Sequence, residues 1–208
     1  MGTEYMAKEF YRWAALLGCL GTSALAQDVV EASFVFQGRT LNIEQAPRAD
    51  MARLAQVSLQ TQDCDGICIA PLTSAEGVDT IAEFELIRFL EDSVASGDGL
   101  LIDTRPLDGR DAGAISASIS VPAELLEANN PFRKDILVAM GARELDGALN
   151  FADAMPLMIY DNGPLENDAA RSVSLLVEAG YPANKIKYYR GGIQVWTALG
   201  LSVEETTS

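Results

Sequence analysis

Apolar positions in the C-terminal two-thirds of the chain switch repeatedly between two spacings. Ile81, Phe84, Ile87, Leu90 and Val94 fall three and four residues apart, which predicts a helix from about Thr80 with one apolar face. Gly97-Asp98-Gly99 ends it, and the continuous run Leu100-Leu101-Ile102 predicts a buried strand that delivers Asp103 at its carboxyl end. A shorter strand is predicted at Ile119-Ser120-Val121, stopped by Pro122, with helical stretches at Ala123–Glu127 and Arg133–Met140. Pro156–Tyr160 predicts the next strand, Asp161–Asn167 a loop, and Ala169–Ala179 a helix closed by Gly180. Ile186–Tyr189 is the last predicted strand, followed by Gly191-Gly192 and a short helix through Trp196. Strand and helix signals in alternation predict an α/β domain whose central sheet is mainly parallel, flanked by helices.

The preceding part is less periodic and contains no internal repeat. Ser33–Phe36 and Arg39–Ile43, parted at Gly38, predict two short strands or a hairpin, and Ala49–Gln60 predicts a short helix. These signals divide the chain into an N-terminal extension over residues 27–78 and a domain over residues 79–206. The sequence leaves open whether the extension covers the domain's loops or reaches outward to another protein.

Residues 1–26 read as an export signal. Lys8 and Arg12 precede the apolar run Trp13–Leu20, and Ser23-Ala24-Leu25-Ala26 supplies small residues for cleavage after Ala26. Met6 is a second candidate start, and Leu16-Leu17-Gly18-Cys19 an alternative lipoprotein site at Cys19. The expected location is periplasmic or secreted, with no membrane span after signal removal. Export changes the meaning of the cysteines. Loss of Cys19 leaves Cys64 and Cys68, a pair expected to form a disulfide in an oxidising compartment, either as a staple or as a redox-active pair. Two thiols and no histidine make a structural zinc site a poor fit, and no cofactor is expected. A net charge of -15 argues against binding nucleic acid, whose phosphates are engaged chiefly through clustered Lys and Arg.

Several short motifs then resemble one family. Asp103-Thr104-Arg105-Pro106, with Gly113, Ile115 and Val121-Pro122 after it, is similar to the D-x-R-P stretch of rhodanese-like domains. Gly180-Tyr181 and the closing run Tyr189-Arg190-Gly191-Gly192-Ile193-Gln194-Val195-Trp196 with Gly200-Leu201 also resemble that family. The resemblance spans roughly Thr80 to Val203. It implies a rhodanese-like α/β fold and an active-site loop at Asp161-Asn162-Gly163-Pro164-Leu165-Glu166-Asn167-Asp168. In active members the loop and the following helix start cradle a cysteine thiolate or persulfide. Here that position is occupied by Asp161. The N-G-P run resembles exported bacterial members in which a second cysteine follows, and that place is Glu166.

Asp161, Glu166 and Asp168 thus gather three carboxylates where a thiosulfate-like dianion would sit, and such a substrate would be repelled. The bland expectation is that these acids cap the helix, with Asp161 as a permanent carboxylate in a vestigial anion hole. A calcium site built from the same oxygens is an alternative. Asp103 and Arg105 are expected to form a structural ion pair, Trp196 to anchor the last helix in the core, and the glycine pair to allow a positive-φ turn. Three functions remain on these residues. The first is an exported, inactive rhodanese homologue that binds a protein partner or acts as an accessory module. The second is a thiol-disulfide or sulfur-handling enzyme using Cys64 and Cys68. The third is a cation-binding regulator using the acidic loop.

Overall fold

A computed structural model describes residues 29–46, 48–59 and 69–205. The expected export signal and the Cys64–Cys68 pair lie outside the described residues. Strands β1 (Val29–Phe36) and β2 (Arg39–Gln45) pair antiparallel as the predicted hairpin, and α1 (Met51–Leu59) follows. The domain proper runs β3 (Asp79–Ile81), α2 (Glu83–Phe89), β4 (Leu100–Asp103), β5 (Ser118–Ser120), α3 (Arg133–Ala139), β6 (Arg143–Leu145) and β7 (Ala148–Asn150). It continues with β8 (Leu157–Tyr160), α4 (Asp168–Glu178), β9 (Ile186–Tyr189) and α5 (Gly192–Ala198). The central sheet has the order β3-β9-β8-β4-β5, and every pairing in it is parallel.

Both faces of this sheet are covered, which is why β8 is buried at every position. Its side chains alternate between two cores. Met158 and Tyr160 pack with Leu86, Leu90, Leu101 and Trp196, whereas Leu157 and Ile159 pack with Leu137, Val173, Leu176 and Tyr188. The hairpin joins the first core through Phe34, Leu41 and Ile43. Backbone bonds from Ala46 to Gly200 and from Ser202 to Glu44 fasten it beside the end of α5.

One expectation needs correction. Ile81 is not the first turn of a helix: it pairs with Tyr189 in β3, and α2 starts at Glu83, where the Ala82 N–H meets the Glu85 carboxylate. Phe84 therefore faces solvent at 63% exposure, with the Arg88 guanidinium 5.0 Å over its ring. The segment Leu90–Val94 continues α2 as a π-helical turn. The structure adds the hairpin β6–β7, which no apolar pattern announced because its residues are largely exposed. Its signal was Asp146-Gly147, both at positive φ (51° and 80°), a dipeptide favoured in tight hairpin turns.

Candidate functional site

Adjacent parallel strands β4 and β8 end side by side, with Asp103 opposite Tyr160, and so bring the two sequence motifs together at the carboxyl edge of the sheet. This edge is where ligands of open α/β sheets bind. Asp103, fully buried, is the centre of a polar knot. It accepts Arg105 Nε at 3.0 Å and Nη2 at 2.7 Å, Arg110 Nη1 at 2.7 Å and the Tyr160 hydroxyl at 2.8 Å. Arg105 also donates from Nη1 to the Gly109 carbonyl at 2.7 Å and from Nη2 to the Gly113 carbonyl at 2.9 Å. Its guanidinium pKa is pushed up: burial alone would lower it, but the hydrogen bonds and charge of Asp103 outweigh that. The Tyr160 hydroxyl is raised by burial and then by the Asp103 charge. The expected Asp103–Arg105 ion pair is thus present, with both side chains buried.

One residue beyond Tyr160 the chain reaches Asp161, also fully buried. Its Oδ1 accepts the Gly163 N–H at 2.9 Å, and its Oδ2 accepts the Ala169 N–H at 2.9 Å. The first bond tightens the loop, and the second caps the first turn of α4. The carboxyl group therefore fills the space between loop and helix start. The Glu166 N–H bonds to the Gly163 carbonyl at 2.9 Å and closes the turn through Pro164.

The other side of the loop is held by α5. The Ile193 and Gln194 N–H groups donate to the carbonyls of Asp161 and Asn162 at 3.1 and 3.0 Å. This grip needs Gly192, at φ 59°: a Cβ there would lie 2.5 Å from Gly163 N and 2.6 Å from Asp161 O. Of the glycine pair, Gly192 is the member with positive φ. Gly191 has φ -61° and is required for a different reason, since a Cβ would meet the Tyr189 ring at 2.8 Å. Trp196 is fully buried and donates from Nε1 to the Ser202 carbonyl at 2.8 Å, as a core anchor does.

The loop also holds chain from before the domain. Asn162 Nδ2 donates to the Val57 carbonyl at 2.8 Å, and the Ala70 N–H donates to the Pro164 carbonyl at 2.8 Å. Arg190 Nε then donates to the Ala70 carbonyl at 3.0 Å.

Electrostatics separate Asp161 from an ordinary carboxylate. Burial pushes its pKa up to about 7, against the two backbone N–H bonds that lower it, and the charges of Asp168 and Glu166 add to the rise. The expected permanent carboxylate is corrected on this point: Asp161 changes charge near neutral pH. Asp168 is raised as well, by burial and by the charge of Glu124. Beside the loop lies a cleft of about 270 Å³ whose lining includes Arg105, Asp108, Asn162, Glu166 and Asp168. Among the described residues no three acidic, cysteine or histidine side chains are arranged to hold a metal ion. Asp161 has turned both oxygens to backbone N–H groups.

A family model described as Rhodanese-like domain matches residues 86–199, more than half of the chain. The chain belongs to the rhodanese-like family. The fold it implies is the one observed, a parallel five-stranded sheet between helical layers. Among solved structures, this rhodanese-like chain is similar to a protein of unknown function, described as a possible tyrosine phosphatase, from Rhodopseudomonas palustris; identity is 18%, the TM-score is 0.44, and 76% of this chain and 96% of that one are covered. It is similar also to a rhodanese-related protein from Thermoplasma volcanium, at 20% identity and TM-score 0.40, covering 61% and 99%. A third is an As-Sb reductase from Leishmania major, at 19% identity and TM-score 0.39, covering 57% and 76%. No curated protein matches the chain.

Four participants at this rhodanese-like site escaped the sequence reading. Tyr160 counted only as an apolar strand residue, yet its hydroxyl ties Asp103 to the Ile115 N–H at 3.2 Å. Arg110 follows Asp103 by seven residues, a spacing with no signature outside the fold. Val57 and Ala70 touch the loop through backbone atoms, which carry no residue-type signal at all.

Proposed function

We propose that this protein is an exported rhodanese-like module without sulfurtransferase activity, in which Asp161 stands in the family's cysteine position and the domain serves as a binding or accessory unit. The observation that carries this reading is the paired bond from Asp161 to Gly163 and Ala169 N–H, which fills the cradle with a carboxyl group that is part of the chain. A carboxyl group forms no persulfide, and sulfur transfer needs one. The nearby Glu166 and Asp168 further oppose entry of a dianionic sulfur donor. Export rests on the signal-like residues 1–26. Sulfur transfer from thiosulfate to cyanide tests the proposal, run on the protein beside Asp161→Ala. Background rates in both support it; turnover in the wild type that Asp161→Ala abolishes overturns it.

A second reading uses Cys64 and Cys68 as a thiol-disulfide or sulfur-handling pair. One observation favours it: the chain on both sides of the pair is tied to this loop, through Val57 to Asn162 and through Ala70 to Pro164. The reduction potential of the pair decides. A value below about -300 mV marks a structural staple and removes this reading, whereas a higher one marks a reducible pair.

A further inference from the structure

The stretch Ile69–Thr73 belongs to no helix or strand, and Ala70 is its one buried residue. Ala70 is 2% exposed, whereas Ile69 and Leu72 around it are 61% and 73% exposed. Both backbone groups of Ala70 are taken up: its N–H donates to the Pro164 carbonyl at 2.8 Å, and its carbonyl accepts Arg190 Nε at 3.0 Å. Pro71 disfavours the helical conformation at residue 70 and favours an extended one. Main-chain bonds to an extended segment, with one side chain buried between exposed neighbours, are the way proteins hold peptides.

The two groups that grip Ala70 come from different parts of the site. Pro164 lies in the loop after β8, and Arg190 directly follows β9, so both stand at the carboxyl edge of the sheet, where ligands of open α/β sheets bind. Among the described residues only Nε of Arg190 is bonded, which leaves the Nη groups of its fork to a further acceptor. A bond from the Thr80 hydroxyl to the Leu72 carbonyl fixes where this strap rejoins the domain. Within Ile69–Thr73 only the Ala70 side chain, a single methyl group, is buried, so the hold gains little from apolar burial and opens at low cost.

We propose that Pro164 and Arg190 form a peptide clamp that the strap occupies through Ala70, and that an extended partner segment of the same chemistry, aliphatic, small, proline, aliphatic, displaces the strap and docks beside the loop. The proposal rests on the reading of the domain as a binding unit and names what that unit takes. The small residue is required because its side chain enters a fully covered position. The partner's advantage over the strap is a second carbonyl for the Arg190 fork. Its disadvantage is the tether, which gives the strap an effective concentration on the order of millimolar.

The test is an amide NMR titration of the full chain with acetyl-Ile-Ala-Pro-Leu-amide, with acetyl-Ile-Trp-Pro-Leu-amide as the control. At millimolar peptide the wild type is expected to show saturable shifts at Gly163, Leu165 and Arg190, with the Ala70 amide leaving its bonded position. Ala70→Glu, which expels its own strap, should bind the peptide about tenfold or more tighter, and adding Arg190→Gln should abolish that gain. Equal shifts with the tryptophan peptide, or no saturable shift at these amides, overturn the proposal on the wild-type protein, independent of how the variants fold. The same shifts on raising the protein concentration without peptide would place a second copy on the clamp and overturn the assignment to a separate partner. Thiosulfate turnover that Asp161→Ala abolishes would instead overturn the reading beneath it.

Discussion

Asp161 Oδ2 accepts the backbone N–H of Ala169 at 2.9 Å across a loop of seven residues, so one side chain joins the end of β8 to the second residue of α4. With Oδ1 on the Gly163 N–H, the same carboxyl group fixes both walls of the loop. The geometry favours the ionised form while the burial opposes it, and burial dominates.

That balance gives a pH dependence with a definite sign. The folded pKa of Asp161, about 7, lies above the unfolded value near 3.9, so between these pH values the native state binds more protons than the unfolded one. Its contribution to stability is greatest below about pH 4, falls as pH rises toward 7, and is flat above that; the total fall is on the order of 4 kcal/mol. Asp161→Asn lacks this slope. Urea unfolding at pH 4.5 and pH 8 is therefore expected to show the variant gaining on the wild type at the higher pH.

Gly192 is expected to be the least tolerant glycine around the loop. Gly192→Ala combines a left-handed φ with a Cβ 2.5–2.6 Å from three backbone atoms of Asp161–Gly163, and should cost about 3 kcal/mol or more. Gly38→Ala is the control: its φ is 78°, nothing lies within 4 Å, and only the backbone penalty of about 1–2 kcal/mol applies. Denaturant midpoints of the two variants separate the clash from the strain.

The polar knot at Asp103 should fail in graded steps. Tyr160→Phe removes the hydroxyl bond to Asp103 and the acceptor of the Ile115 N–H, a loss of about 1–3 kcal/mol. Arg105→Met leaves Asp103 buried with Arg110 as its remaining cation and should cost about 3–5 kcal/mol. Thermal unfolding that ranks the two variants in the opposite order would contradict the assignment of Arg105 as the main partner.

How much of this the sequence revealed depended on the kind of signal each feature leaves. Buried strands such as Leu100–Asp103 and Leu157–Tyr160 announced themselves as continuous apolar runs, because both faces of a parallel sheet are covered. Ile81 did not, since one apolar residue fits the helical spacing as well as a three-residue edge strand. The glycine pair was legible as a positive-φ turn, but not that Gly192 is the one of the two that takes it, nor that α5 grips the loop there. Asp161 was visible as a carboxyl group at the loop start. Its near-neutral titration was not, because desolvation is a property of the folded surroundings. Tertiary bonds through backbone atoms, such as Ala70 to Pro164, leave no trace in residue types.

The measurement closest to the central claim, that the Asp161 carboxyl group occupies the loop's cradle, is an NMR pH titration of the Gly163 and Ala169 backbone amides. Both are expected to shift together with a common midpoint near 7, and the response should vanish in Asp161→Asn. Amides that stay unmoved across this range, or titrate alike with and without Asp161, would show the cradle open and contradict the account.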